Sequence, residues 1–584
     1  MIPTGTRKPS IAATRDYGSF SCAMRRVPSS LAVLTSPFPP KPRPSPRPQM
    51  PCRRRWYSAT GSISQSTEEF MSRERHRKRR SAQQARVHAL PPGLSGGQYR
   101  PLSDDDVQRI HEAALIVLER TGVRIVESEC RHILEQAGAR VDRAHDRVYI
   151  PRQMVEAALK TANRDVVLYS RDGRFDLHLR GTRVHLGTGG AAIKILDLET
   201  GYVREPTLRD VYDIGRLVDT LDNIHFYLRA VVARDVGKED IDVNTFYACL
   251  SSTGKHVMGG CYFPEKVAEI KKMAVIIAGS EEAFLARPFL SFNLCWMVSP
   301  LRFAPETTET LTAAVRAGIP VSLVSAPQSG ATSPASLVGT LVQVIAEELS
   351  GLTYVQLLRP GHPTLLGGMP LVSDLRTGNM VGGCAELALM NAASAQMTQF
   401  YGLPVYSSSA LTDSKLPDVQ AGFEKGLTTA AVALAGAQYN HHSAGMLESM
   451  LTVAYEQYVI DDDINAQAMR LVKGLEVNDA TLSLDVIHEV CMGEGHYLAH
   501  PQTLALMESE YIYPHTADRA TRQDWEAAGA LDMRERARRR ARAILAEHYP
   551  TLIPEETDAA LRAEFNILLP REAMQPAGRM VSRP

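Results

Sequence analysis

Between Val184 and about Leu471 the chain alternates short apolar runs with longer segments of helical periodicity. The runs cover residues 184–187, 225–232, 256–262, 289–296, 320–325, 363–368, 404–409 and 439–445. Residues 208–220, 264–278, 307–317, 336–358, 385–400 and 418–437 carry apolar positions at helical spacing between them. Strands alternating with helices predict βαβ units and a parallel sheet. Eight such units, with strands too polar for a doubly wound core, predict a closed (β/α)8 TIM barrel of the α/β class. Pro320, Pro363 and Pro404 each open a run, a place where proline forfeits no ladder hydrogen bond.

Upstream, Ser103-Asp-Asp-Asp106 precedes residues Ile110, Ala113, Ala114, Val117 and Leu118 and reads as a helix start. Residues 123–125 and 148–150 read as short strands, with a helix at 127–137 between them. The expected layout is a small α+β cap over 96–183, the barrel over 184–475 and a mostly helical extension over 476–584.

Residues 1–95 form a different kind of segment. Residues 1–66 hold eleven Lys/Arg and one acid, Asp16, with dense proline between Pro28 and Pro51. Too little apolar surface is present to fold. The segment reads as a disordered tail, a transit peptide with Arg53-Arg-Arg-Trp-Tyr-Ser58 as processing site, or a start placed too early, ahead of Met50 or Met71. The basic run 73–80 lacks interleaved aromatics and reads as a solvated tail, not a nucleic-acid contact.

Composition narrows the class further. Apolar residues make 44% and charged residues 22% of the 584, with net charge +0, which points to neither nucleic acid nor an anionic membrane. No run of about 18 apolar residues predicts a membrane span. Eight cysteines from Cys22 to Cys491 lack close pairing, which fits a reducing, cytoplasmic compartment.

The strand ends carry Gly, Ser, His and Cys where a packed barrel prefers branched apolar residues, leaving space and polarity for a ligand. His441 and His442 are possible metal ligands, with His496, Asp413, Glu448 and Glu494 available to complete a set. Strand neighbours point to opposite faces, so only one of the two should face the axis, and the expectation is no metal. Asp374 with Arg376, and Asp413 with Lys415, read either as loop-fixing ion pairs or as catalytic groups. Gly187-Thr-Gly-Gly190 is only a weak phosphate-loop signal.

Several motifs occur together and in order: Asp374-Leu-Arg-Thr-Gly378, Leu411-Thr-Asp-Ser-Lys415 with Asp418-Val-Gln-Ala-Gly422, Gly445-Met-Leu-Glu448, and residues 493–500. Tyr513-Pro514, Asp518-Arg519 and Trp525 follow. Over residues 102–550 the chain resembles the trimethylamine methyltransferase family of corrinoid-dependent methylamine and betaine demethylases. The resemblance implies a β/α barrel that moves a methyl group from a methylated amine to the cobalt(I) of a corrinoid. It implies that a separate small protein carries the corrinoid and docks over the barrel mouth, and that the chain needs no tightly bound cofactor of its own. Trimethylamine-specific members carry pyrrolysine, and this sequence contains none. It therefore resembles the non-pyrrolysine branch, for which quaternary amines such as glycine betaine are the expected donors.

Quaternary ammonium groups are held by aromatic faces. Phe292, Trp296, Tyr262, Tyr406 and Tyr439 lie in or beside the strand runs, with Trp296 and Tyr262 the leading candidates. A betaine carboxylate would need donors, for which His442, Arg376 and Ser443 are candidates. The expected catalytic set is His442, Asp413 and Glu448, and the expected binding set Trp296, Tyr262, Tyr406, Arg376 and Ser443. Long helices outside a barrel are also expected to pack against a second copy. The competing readings are a barrel lyase or hydrolase using His442, Asp413 and Lys415, and a non-catalytic betaine-binding protein.

Overall fold

The computed structural model describes residues 91–493 and 495–576. The expectations for residues 1–90 and for Glu494 lie outside the described residues.

Eight parallel strands form the barrel: β1 (Arg183–Thr188), β2 (Phe226–Leu228), β3 (His256–Gly259), β4 (Leu290–Leu294), β5 (Val321–Ser325), β6 (Thr364–Gly368), β7 (Tyr406–Ser408) and β8 (Tyr439–Ala444). A major helix follows each: α1 (Leu208–Asp219), α2 (Ile241–Ser252), α3 (Lys266–Ala278), α4 (Pro305–Ala317), α5 (Leu337–Leu358), α6 (Ala385–Phe400), α7 (Val419–Leu434) and α8 (Tyr455–Lys473). Each strand pairs with its sequence neighbour from β1 to β6, β7 pairs with β8, and β8 returns to β1 through Tyr439↔His185. A single bridge, Leu366↔Val405, closes the ring between β6 and β7. The expected (β/α)8 class is thus the one adopted.

The prolines act as their positions suggest. The carbonyls of Pro320, Pro363 and Pro404 accept from Phe292, Val321 and Leu366 on the adjacent strand, at 2.9, 3.1 and 2.9 Å. The missing N–H therefore costs the ladder nothing. α5 is buried along most of its length, and helices Asp104–Ile116, Ser128–Gln136 and Arg152–Thr161 cover it. Ser103 caps the first of these helices through a reciprocal capping box with Asp106. Strands Val123–Arg124 and Arg147–Tyr149 pair antiparallel beside it.

Lys255 closes the lower end of α1. Its wholly buried ammonium donates to the carbonyls of Val218, Leu221 and Ile224 at 2.7, 2.7 and 2.5 Å, using all three donors. Beyond the barrel, helix Met533–Glu547 packs on α8 and α1. Arg216, buried on α1, donates to the carbonyls of Leu545 and His548 at 2.8 Å each.

Candidate active site

Parallel strands deliver their C-terminal ends to one rim, and the side chains there sit over an aromatic layer. Phe226, Tyr439 and Tyr406 are the first residues of β2, β8 and β7, so they lie below the rim. Phe226 stacks on Tyr439 with centroids 3.7 Å apart, and Tyr439 on Tyr406 at 5.5 Å. Two strand glycines make room: a Cβ on Gly187 would meet the Phe226 ring at 2.1 Å, and one on Gly367 would lie 3.1 Å from the Tyr406 ring.

Above this floor the wall opens. Cys295, just past β4, is exposed, and the protein around it pushes its thiol up to about 11, with Glu348 contributing. Gly190, Gly260 and Asn293 are also part-exposed along this rim.

The β8 end is irregular. Its register with β1 shifts between Asn440 and Ala444, and His442 has φ 66. Alternation of faces therefore fails there, and the His441 and His442 rings stack at 3.5 Å. This corrects the expectation that only one of them faces a given side. Ser408 Oγ meets His442 Nδ1 at 2.8 Å, and Ser409 Oγ meets Ser443 Oγ at 3.0 Å. Burial lowers the His442 imidazole to about 3, helped by the Lys425 charge. Burial drives His441 well below its ordinary range, with His442 a lesser cause. Both rings are neutral at physiological pH.

Tyr406 Oη and His441 Nδ1 are hydrogen-bond partners. Burial raises the Tyr406 hydroxyl well above its ordinary range, and Asn293 opposes that rise. His441 Nε2 is buried without a partner in the protein.

A buried ion pair braces the rim. Lys425 on α7 donates to Asp461 at 3.0 Å and to the Ala410 carbonyl at 2.8 Å, and Gly445 N–H donates to Asp461 at 2.7 Å. Burial pushes Lys425 down and Asp461 up, and each charge opposes the shift of the other.

The remaining expected residues fall in different places. Asp413 accepts from Gly382 N–H at 2.8 Å, Gly383 N–H at 3.4 Å and Ser449 Oγ, clasping the loops after β6, β7 and β8. Glu448 pairs with Lys194 at 3.4 Å and accepts from Thr452 Oγ1 at 2.6 Å. Lys415 donates to the Asp413 carbonyl at 2.7 Å. Arg376 is 89% exposed and forms a two-point pair with Asp374, at 2.9 Å for each bond. Trp296 is buried against Gly351 of α5 and edge-on to Phe303. Tyr262 is 43% exposed, with the Arg229 guanidinium 5.1 Å from its ring centre. Among the described residues no three His, Cys, Asp or Glu side chains converge as metal ligands.

Arg229, Asn293, Cys295 and Glu348 were not singled out by sequence reasoning. Glu348 reaches from α5 into the wall, accepts from Gly367 N–H at 2.9 Å and leaves Oε1 unpartnered. Burial raises its carboxyl well above the ordinary range, against the opposing bond from Gly367 N–H. The available signal was a lone polar residue inside an apolar strand run, as in Phe226-Tyr-Leu-Arg229 and Phe292-Asn-Leu-Cys295.

The family described as Trimethylamine methyltransferase (MTTB) matches residues 71–567. The chain is 36% identical over 479 residues to a trimethylamine methyltransferase of Desulfitobacterium hafniense, covering 82% of this chain and 94% of the other. It is 34% identical over 465 residues to a trimethylamine methyltransferase of Methanosarcina barkeri (79% and 93% covered). It is 31% identical over 467 residues to a glycine betaine methyltransferase from a second strain of Desulfitobacterium hafniense (80% and 96% covered). The solved monomethylamine methyltransferase of Methanosarcina barkeri aligns with a TM-score of 0.41 at 13% identity, over 76% of this chain and 93% of that one.

Proposed function

The chain belongs to the trimethylamine methyltransferase family, and from that premise we propose a donor and an acceptor for its methyl transfer. The donor is a quaternary methylated amine of the glycine betaine kind. The acceptor is the cobalt(I) of a corrinoid carried by a separate protein. In this reaction the C–N bond breaks with its electron pair left on nitrogen, and the carbon–cobalt bond forms from the pair on cobalt(I). The leaving group is already a neutral tertiary amine, so no proton need be supplied.

The observation that carries this reading is the aromatic floor of Phe226, Tyr439 and Tyr406 beneath the strand-end rim, beside the stacked His441–His442 pair. Burial moves His441 and His442 down and Glu348 up from their ordinary ranges, while Asp413 and Glu448 are committed to loop contacts. Such a site suits positioning and desolvation of a substrate that already carries its leaving group. It suits acid–base elimination or hydrolysis poorly, which weighs against the lyase alternative. In this reading the aromatic floor of Phe226, Tyr439 and Tyr406 excludes water, Tyr262 contributes an aromatic face at the rim, and His442 and Ser443 hold the β8 bulge that aims His441.

The rim also suits a docking partner. Leu375, Leu416, Val419 and Phe423 on the loops after β6 and β7 and the start of α7 are exposed, Val419 by 89% and Phe423 by 66%. Exposed apolar side chains on the loops and helix start at the face where the acceptor must arrive support capture of a corrinoid protein there. The test is to mix the protein with reduced cobalamin, alone and on a cognate corrinoid protein, and a panel of methylated amines. Methyl-cobalt absorbance with a quaternary amine supports the reading, and its absence with every amine and acceptor overturns it.

A further inference from the structure

Arg229 follows β2 directly, and the residue is 5% exposed. Its Nε and Nη1 are buried without a hydrogen-bond partner, and no ion pair within the described residues involves it. Its neighbour Asp242 is otherwise engaged, accepting from Tyr262 N–H at 3.0 Å, Phe263 N–H at 3.2 Å and the Cys261 thiol at 3.6 Å. A buried guanidinium with idle donors is costly unless something pairs with it.

The position of the head is informative. It lies 5.1 Å from the Tyr262 ring centre, and a Cβ on Gly260 would come within 3.6 Å of Nη2 and 3.7 Å of the Asn293 carbonyl. The guanidinium therefore reaches along the part-open rim over β3 and β4. On β8 a second buried polar atom, His441 Nε2, has no partner in the protein. Gly190, after β1, adjoins both residues: a Cβ there would stand 2.1 Å from Leu228 Cδ2, 3.2 Å from His441 Nε2 and 3.4 Å from the Arg229 carbonyl.

We propose that Arg229 is the seat of an anionic group on the substrate, so that the donor is a zwitterionic quaternary amine bearing a carboxylate. This rests on the quaternary-amine reading above and narrows it. The charge argument is simple: a quaternary ammonium and a guanidinium in one site repel unless an anion lies between them. Trimethylamine, tetramethylammonium and choline bring no anion. A betaine carboxylate does, and it matches the planar fork of arginine with two parallel bonds. His441 Nε2 supplies a further polar contact. Arg229 is thus a specificity-determining residue, while the reacting methyl lies at the cationic end of the same molecule.

The test is calorimetric binding of glycine betaine, choline and tetramethylammonium chloride to the full-length protein and to R229Q and R229K, with methyl-cobalt formation followed in parallel. Wild type should prefer glycine betaine over choline by at least about tenfold. R229Q should lose about 100-fold in glycine betaine affinity, since a buried charge loses its partner. It should keep or gain tetramethylammonium affinity, because the removed group is itself a cation. R229K, which keeps the charge without the fork, should lose about tenfold. If R229Q does not fold, R229K and the wild-type selectivity still decide. Wild type that binds or demethylates choline as well as glycine betaine, or R229K that binds glycine betaine like wild type, overturns the seat while leaving methyl transfer standing. Wild type that forms methyl-cobalt from no quaternary amine overturns both.

Discussion

His441 and His442, adjacent in the chain, stack ring on ring with centroids 3.5 Å apart and planes inclined by 26°. Regular strand geometry forbids this, and the left-handed backbone at His442 permits it. His441 is thereby held with Nδ1 on Tyr406 and Nε2 free. Replacing His441 by Phe keeps the ring and removes Nε2. Methyl transfer should fall by about 100-fold, the scale of one lost polar contact to a charged group. Steady-state kinetics with a thermal melt checks this, and unchanged kinetics would contradict the role given to Nε2.

His442 gives a pH signature. Its folded pKa, about 3, lies below the unfolded value of 6.5. As pH falls below 6.5 the unfolded chain takes a proton that the folded chain refuses, so this residue's contribution is lost at about 1.4 kcal/mol per pH unit. Asn tolerates the left-handed backbone and does not titrate. The stability advantage of wild type over His442→Asn should shrink at that slope between pH 6.5 and 4.5, as read from denaturant melts. A flat difference would mean the ring is not held neutral.

Lys425 and Asp461 form a fully buried pair between α7 and α8. Lys425→Met should destabilise by about 3–5 kcal/mol, because it leaves Asp461 buried and unpaired. Adding Asp461→Leu to that variant should recover much of the loss. A double variant as unstable as the single one would show that the cost lies in the hydrogen bonds to Ala410 and Gly445 instead of in the stranded charge.

Glu348 accepts from Gly367 N–H with one oxygen, and burial raises its carboxyl well above the ordinary range. Glu348→Gln preserves that acceptor and mimics the protonated acid, so its stability should stay within about 1 kcal/mol of wild type. A loss several times larger would indicate an ionised carboxylate.

Phe423 is exposed at the start of α7. Phe423→Asp should raise KM for the corrinoid protein by about tenfold, a common cost for a lost interface anchor. Turnover with free cobalamin should be unchanged. Equal loss with both acceptors would remove the loops after β6 and β7 from the docking face.

The barrel was legible because its signals are local. Proline openings, apolar runs and the helical spacing of residues 385–400 and 337–358 all depend on residues close in sequence, and the strands and helices fall there. The site was legible only in part. Tyr406 lies in the floor as a strand aromatic, and the motif Leu411-Thr-Asp-Ser-Lys415 marks a loop beside the rim. Arg229 and Asn293 went unnoticed because what distinguishes them is the lack of a partner, a property of the whole fold. Asp374 and Arg376, two apart, satisfy each other on the surface. The His441–His442 pair was misjudged because a bulge overrides alternation and leaves no mark in residue type.

The most direct test of the account uses glycine betaine labelled with deuterium in its N-methyl groups. One turnover on a corrinoid protein reduced to cobalt(I) should yield equal amounts of labelled methyl-cobalt and of the singly demethylated amine, with no added proton donor or metal. Methyl-cobalt without the matching amine, or amine loss without methyl-cobalt, would contradict transfer from nitrogen to cobalt by this barrel.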